Sequence, residues 1–166
     1  MKTKVLLFFA LIAFASCNSD NSSEQWRMDN QAAYDAIKTN GNWTLLETDD
    51  GPSGVYYRNL TAPETELGDE YPLETASVVV NYTGRYYTDN VFDSGARSTF
   101  SVNAVVRGFG IALQHMRVGQ KWDVCIPYYL GYGAVGNVSY YGQTSIQGYT
   151  TLFFEIELLK IDQYPK

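Results

Sequence analysis

The 166-residue sequence holds one histidine and two cysteines, and that scarcity removes several familiar chemistries at once. A Ser-His-Asp relay or a histidine-based metal site would rest on His115 alone. That residue sits beside Met116 in a helical pattern, where a surface position is expected. Two cysteines cannot build a disulfide framework. Cys125 falls in an alternating stretch, residues 121–126, where it reads as a small buried hydrophobe rather than a nucleophile. No glycine-rich loop opens a helix after a strand as phosphate binding requires, because Gly131, Gly133 and Gly136 lead into more loop. The acidic pairs Asp49-Asp50 and Asp69-Glu70 fall in turns, where solvation is their expected role.

Positive charge and long apolar runs are also scarce. The formal net charge is -6. Without residues 1–16, which carry Lys2 and Lys4, ten basic side chains face eighteen acidic ones, a net of -8. No nucleic acid is expected as a partner, and an anionic lipid surface would repel such a body. The apolar run over residues 5–14 is ten residues long, too short for a spanning helix.

That run follows Met1, Lys2 and Lys4 and ends in Phe14-Ala15-Ser16-Cys17, so residues 1–16 are expected to be a signal peptide. The small residues before Cys17 resemble a bacterial lipobox, which makes Cys17 the expected site of lipidation and the start of the mature, exported protein. Residues 17–23 are then a polar tether, 24–43 an N-terminal helical segment and 44–166 one domain. Membrane attachment would come from the acyl anchor, on the periplasmic or cell-surface side.

What the chain has in abundance is aromatic residues: 15% of the sequence, with fourteen tyrosines. They favour pleated, half-buried surfaces. Trp26, Ala33, Tyr34 and Ile37 share one face at helical spacing over residues 24–39, and Asn40-Gly41 supplies a stop. Docking of that helix on its own domain is the expected role. Strands are expected over 44–46, 54–60, 77–87, 121–126 and 151–162, with a bend at Thr83-Gly84. One short helix is expected over 106–116, and a loop over 128–149 carries six tyrosines and five glycines. The pattern is α+β, an antiparallel sheet around one helix. Rich in aromatics and poor in acid–base groups, it points to a binding pocket or to a reaction that needs no proton transfer.

Seven ordered motifs give that pattern a likeness: Val80-Asn81-Tyr82-Thr83-Gly84, Val91-Phe92-Asp93-Ser94, Val105-Val106-Arg107-Gly108-Phe109, Met116-Arg117-Val118-Gly119-Gln120-Lys121, Ile126-Pro127, Leu130-Gly131-Tyr132-Gly133, and the strand from Thr151 to Leu159. Together with the entering strand Ser53-Gly54-Val55-Tyr56-Tyr57, they resemble the FKBP-type peptidyl-prolyl cis/trans isomerases over about 110 residues. The resemblance implies an antiparallel half-barrel wrapped round one short helix, with an apolar pocket between them. It implies that Tyr82, Phe92, Phe100, Val105, Val106, Tyr132, Ile146 and Phe154 line the pocket and that Phe109 forms its floor. It assigns the Val106 N–H and the Tyr132 hydroxyl to substrate carbonyls, and Asp93 to the pocket edge. Proline-containing polypeptide segments are the implied partners, with macrolide-type molecules as possible pocket ligands and no cofactor or metal. The implied reaction is isomerisation of X-Pro bonds in exported proteins. A non-catalytic peptide-binding or chaperone module on the same fold is the alternative.

Two departures stand out. Phe109 occupies a position usually held by tryptophan in the family, so the floor is smaller and lacks an indole N–H. The late loop carries extra length at residues 138–144 and reads Ile146-Gln147-Gly148-Tyr149 where relatives often carry proline. The segment from Ser94 to Phe100 is short, and Arg97 is not assigned the family's pocket-arginine role.

Overall fold

The computed structural model describes residues 18–137 and 145–163, with side chains from Asn21 onward. Cys17 and residues 138–144 lie outside the described residues.

Helix α1 runs Asn18–Thr39. It begins before the expected segment, so residues 18–23, expected as a polar tether, form its first turns. Its end follows from Asn40, whose N–H bonds the Ile37 carbonyl at 3.1 Å while its side chain accepts the Asn42 N–H at 3.0 Å. Trp26, Asn30, Ala33, Tyr34 and Ile37 face inward, which is the expected stripe with one polar residue in its middle.

Strands β1 (Thr44–Thr48) and β2 (Gly51–Asn59) form a hairpin, followed by β3 (Ser77–Arg85) and β4 (Val91–Ser101). Single turns of 3-10 helix at Val102–Ala104 and Tyr128–Leu130 flank α2 (Arg107–Gln114) and β5 (Lys121–Ile126). The two-residue strands β6 (Gly136–Asn137) and β7 (Ile146–Gln147) pair across the late loop, and β8 (Leu152–Asp162) closes the sheet. Six strands are ordered β1-β2-β5-β8-β3-β4, every neighbour antiparallel. Register shifts lie between Val80 and Tyr82 and between Gly84 and Arg85 against β4, the second at the expected bend, and between Val79 and Val80 against β8. Such bulges add local twist, which helps the sheet curl around α2.

Alternation decides what each strand does with its two faces. Val78 and Val80 of β3, Trp122, Val124 and Ile126 of β5, and Leu152, Phe154, Ile156 and Leu158 of β8 enclose Phe109, Ala112, Leu113 and Met116. Phe109, Ala112 and Leu113 form the apolar stripe of α2, and Met116 continues it just past the helix end. Gly108 lets α2 sit directly on β5, since a Cβ there would collide with Ile126.

The opposite face of β5 and β8 is covered as well. Tyr34 of α1 packs with Cys125 and Phe153, and Ile37, Trp43, Tyr56 and Tyr87 surround them. This is why β5 is buried at almost every position instead of alternating. Burial pushes the Cys125 thiol up, and the nearby Asp123 charge adds to the shift, as suits a packing residue. Asp123, buried beside it, accepts two hydrogen bonds from Arg85 at 3.0 and 2.9 Å and one from Arg58 at 2.8 Å.

Two expectations change. His115 caps the C-terminus of α2, and its ring nitrogens approach the Ile111 and Glu47 carbonyls at 2.8 and 2.9 Å, tying the helix end to β1 rather than lying free on the surface. Strand β4, eleven residues long, was not expected as a strand. It is an edge strand whose inward positions, Phe92, Gly95, Ser98 and Phe100, do not follow a period of two. Arg97 sits at φ 51°, with its N–H on the Asn81 side-chain oxygen at 2.9 Å.

Candidate active site

The site lies where α2 meets the inner faces of β3, β4 and β8. Phe109, on the first turn of α2, is 4% exposed, with its ring edge-on to Phe154 at 5.0 Å between centroids. Phe100 and Tyr82 stand edge-on to the same ring at 6.3 and 6.4 Å, and to each other at 5.4 Å. Phe92 closes the opposite side, 5.5 Å from Phe154. Edge-to-face contacts hold each ring at a fixed angle, so the five form a cup with a rigid wall. Gly84 makes the wall possible: a Cβ there would lie 2.6 Å from the Phe92 ring and 2.7 Å from that of Phe154.

Polar groups gather at the mouth. The Tyr82 hydroxyl donates to Asp93 Oδ2 at 2.9 Å, and Asp93 Oδ1 accepts the Ser94 N–H at 2.9 Å. Desolvation, then the bond to Asp93, pushes the Tyr82 phenol up to about 12. Burial followed by the Asp93 charge also raises the Tyr132 phenol, which keeps both hydroxyls protonated at neutral pH. Val106 is the N-cap of α2; its carbonyl accepts the Phe109 and Gly110 N–H groups at 2.9 and 3.1 Å. Its own N–H has no acceptor among the described residues. That leaves a donor at a helix N-terminus, beside the aromatic cup.

All the pocket residues named from the sequence fall in one cluster. Phe109, Ile146 and Phe154 are buried in the core, and Tyr82, Phe92, Phe100, Val105, Val106 and Tyr132 are half-buried against it. Asp93 is exposed at the mouth. Ile146, only 4% exposed, lies deeper than a rim residue. Sequence reasoning missed Tyr86, whose ring lies 5.1 Å from Phe92, and the contact of Trp26 with Tyr86 at 5.7 Å. Tyr86 follows the last residue of β3 on the inward alternation, which was the available signal.

The five rings, the half-buried Tyr132, the Val106 N–H and the Asp93 carboxylate thus meet at one end of α2. The chain belongs to the FKBP-type peptidyl-prolyl cis-trans isomerase family, whose model matches residues 68–159. It is 30% identical over 174 residues to the macrophage infectivity potentiator of Trypanosoma cruzi, covering 95% of this chain and 79% of that one. It is 31% identical over 157 residues to the outer membrane protein MIP of Legionella longbeachae, covering 91% of this chain and 60% of that one. A peptidyl-prolyl cis-trans isomerase crystal structure from Pseudomonas syringae pv. tomato aligns with a TM-score of 0.69 at 28% identity, covering 85% of this chain and 96% of that one. The enzyme class is thus peptidyl-prolyl cis-trans isomerase. No helix among the described residues is long and apolar enough to cross a membrane.

Proposed function

We propose that the protein isomerises X-Pro bonds in exported polypeptides by binding the proline ring in the cup formed by Tyr82, Phe92, Phe100, Phe109 and Phe154. The observation that carries this reading is the combination of a rigid aromatic cup with a Val106 N–H at its edge that has no acceptor among the described residues. Rotation about the X-Pro bond is opposed by a resonance barrier of about 18–20 kcal/mol. Water stabilises the charge separation of the planar imide, so withdrawing it raises the ground state relative to the twisted one. A cup shaped for the ring of a twisted imide lowers the barrier further, because that contact is stronger in the transition state than in the substrate. The Val106 N–H and the Tyr132 hydroxyl supply donors to the flanking carbonyls, while Tyr82 holds Asp93 at the mouth. Val105 and Ile146 complete the apolar lining. The same cup would accept macrolide-type ligands. No proton needs to move in this scheme.

Lipidation of Cys17 completes the proposal and rests on the sequence of residues 1–17; the name of the Legionella relative agrees with an envelope location. A protease-coupled assay with X-Pro peptides tests the activity, with acceleration over buffer as the expected result. Rates equal to buffer, together with measurable binding of the same peptides, would favour the weakly active or non-catalytic binding module instead, for which the smaller Phe109 floor is the supporting feature. Detection of an acylated Cys17 by mass spectrometry of the purified protein tests the anchor.

A further inference from the structure

We propose that Trp26 and Asn30 of α1 are positioning residues of the isomerase site, so that the N-terminal helix is a working part of the pocket and not only a spacer. This inference rests on the isomerase reading above and deepens it.

The helix reaches the cup along two separate routes. On one side, the Trp26 ring meets Tyr86 at 5.7 Å and Tyr87 at 5.6 Å. Tyr86 meets Phe92 at 5.1 Å, Phe92 meets Phe154 at 5.5 Å, and Phe154 meets Phe109 at 5.0 Å. An unbroken chain of rings therefore joins α1 to the floor of the pocket. On the other side, Trp26 Nε1–H donates to Thr150 Oγ1 at 3.2 Å, and that hydroxyl donates to the Gln147 carbonyl at 2.6 Å. One turn further along, the fully buried Asn30 accepts the Thr151 N–H on its side-chain oxygen at 2.9 Å, and its backbone carbonyl accepts the Thr151 hydroxyl at 3.0 Å. Its amide nitrogen donates to the Trp26 carbonyl at 2.9 Å, so both ends of the carboxamide are engaged and its orientation is fixed.

These contacts fall on the segment that shapes the late rim. Gln147 belongs to β7, next to Ile146, and β7 pairs with β6. The Tyr149 N–H bonds the Gly133 carbonyl at 2.9 Å, next in the chain to Tyr132, and Arg27 stacks over the Tyr149 ring at 5.5 Å. Thr151 leads directly into β8 and Phe154. One face of α1 thus holds the Phe92 wall and the Tyr132 rim at the same time. A buried asparagine on an otherwise apolar stripe is a costly choice for mere docking, whereas it fixes one register of helix against strand.

The test compares Trp26→Leu, Trp26→Phe and Asn30→Leu with a control, Trp43→Leu. Trp43 is half-buried on the same outer face but packs against Phe153 and Arg58, away from the cup. Each variant is assayed well below its own Tm against a panel of peptides differing in the residue before proline. Small displacements of a site cost large factors in rate, so Trp26→Leu and Asn30→Leu are expected to lower kcat/KM about 10-fold and to change the preference across the panel about 3-fold. Trp26→Phe keeps the ring contacts and loses the bond to Thr150, so its loss is expected to be intermediate. Trp43→Leu is expected to lower Tm while leaving kcat/KM and preference within 2-fold. Unchanged preference and rate in both Trp26→Leu and Asn30→Leu, or an equal loss in Trp43→Leu, overturns the inference. Should the unsubstituted protein show no turnover, the isomerase reading fails on its own. Peptide affinities measured with the same panel then test the rim, with the same pattern expected.

Discussion

Removing one oxygen from Tyr82 separates what its ring does from what its hydroxyl does. Tyr82→Phe leaves the edge-on contacts with Phe100 and Phe109 in place and deletes only the 2.9 Å bond to Asp93 Oδ2. A hydrogen bond to a charged acceptor contributes about 1.5–3 kcal/mol when shielded, but Asp93 is exposed, so water screens it and a loss of about 0.5–1 kcal/mol is expected. For a chain of this size that corresponds to a fall in Tm of about 1–4 °C at neutral pH. Asp93 keeps its bond from the Ser94 N–H but loses the contact that fixes its second oxygen over the mouth. A drop of about 5-fold in kcat/KM follows if the carboxylate orients substrate, equivalent to about 1 kcal/mol of transition-state stabilisation. The pH profile gives an independent reading. The folded-state pKa is raised from 10.0 to about 12, so the unfolded chain loses its proton first as pH rises. The stability that this phenol contributes is fully present below about pH 10 and is lost between pH 10 and 12. The unsubstituted protein should therefore lose stability more steeply than Tyr82→Phe across that window. Thermal melts from pH 7 to 12 and a proline-peptide assay at neutral pH measure the two effects. Identical alkaline slopes together with an unchanged kcat/KM would refute the role given to the hydroxyl.

Gly84→Ala places a methyl group 2.6 Å from the Phe92 ring and 2.7 Å from that of Phe154, so both rings must shift. Overpacking of this kind costs about 1–3 kcal/mol of stability, and the displaced wall should lower kcat/KM by about 100-fold. A rate within 3-fold of the unsubstituted protein, in a variant that melts cooperatively, would show that the cup does not depend on those rings. On the far side of the sheet, Asp123→Ala strips Arg58 and Arg85 of their shared buried partner. Removing one member of a buried ion pair costs about 3–5 kcal/mol; because both arginines keep some access to water, about 2–3 kcal/mol is expected, seen as a fall in Tm of about 4–12 °C. A change under 1 °C would show that water satisfies both guanidinium groups.

The strands and helix that carry strong local patterns were legible in the sequence. In the sequence, residues 121–124 and 154–158 alternate polar with apolar, and Phe109, Ala112, Leu113 and Met116 repeat at helical spacing, so each element announces its own period and its inward face. The cup was legible too, because its residues sit within motifs whose order along the chain is the signal. Edge strand β4 was not, since only one of its faces is covered and Gly95, Arg97 and Ser98 break the alternation. Nor was the start of α1, because the polar residues 18–23 resemble a tether and carry no apolar stripe of their own.

Charge, the poverty in acid–base groups and the apolar stripe of α1 can be read from the residues alone, because those properties depend on composition or on residues close together in the chain. The sequence could not say that Asn30 would be buried. That outcome depends on Thr151, 121 positions away, arriving at the same place with an N–H and a hydroxyl to be satisfied. Only tertiary structure decided that the outer face of β5 and β8 is covered, that α1 covers it, and that one helix face reaches both sides of the aromatic cup. A polar side chain in an apolar stripe looks like a defect until its partner is in position, because its cost or benefit is set by the hydrogen bonds it finds.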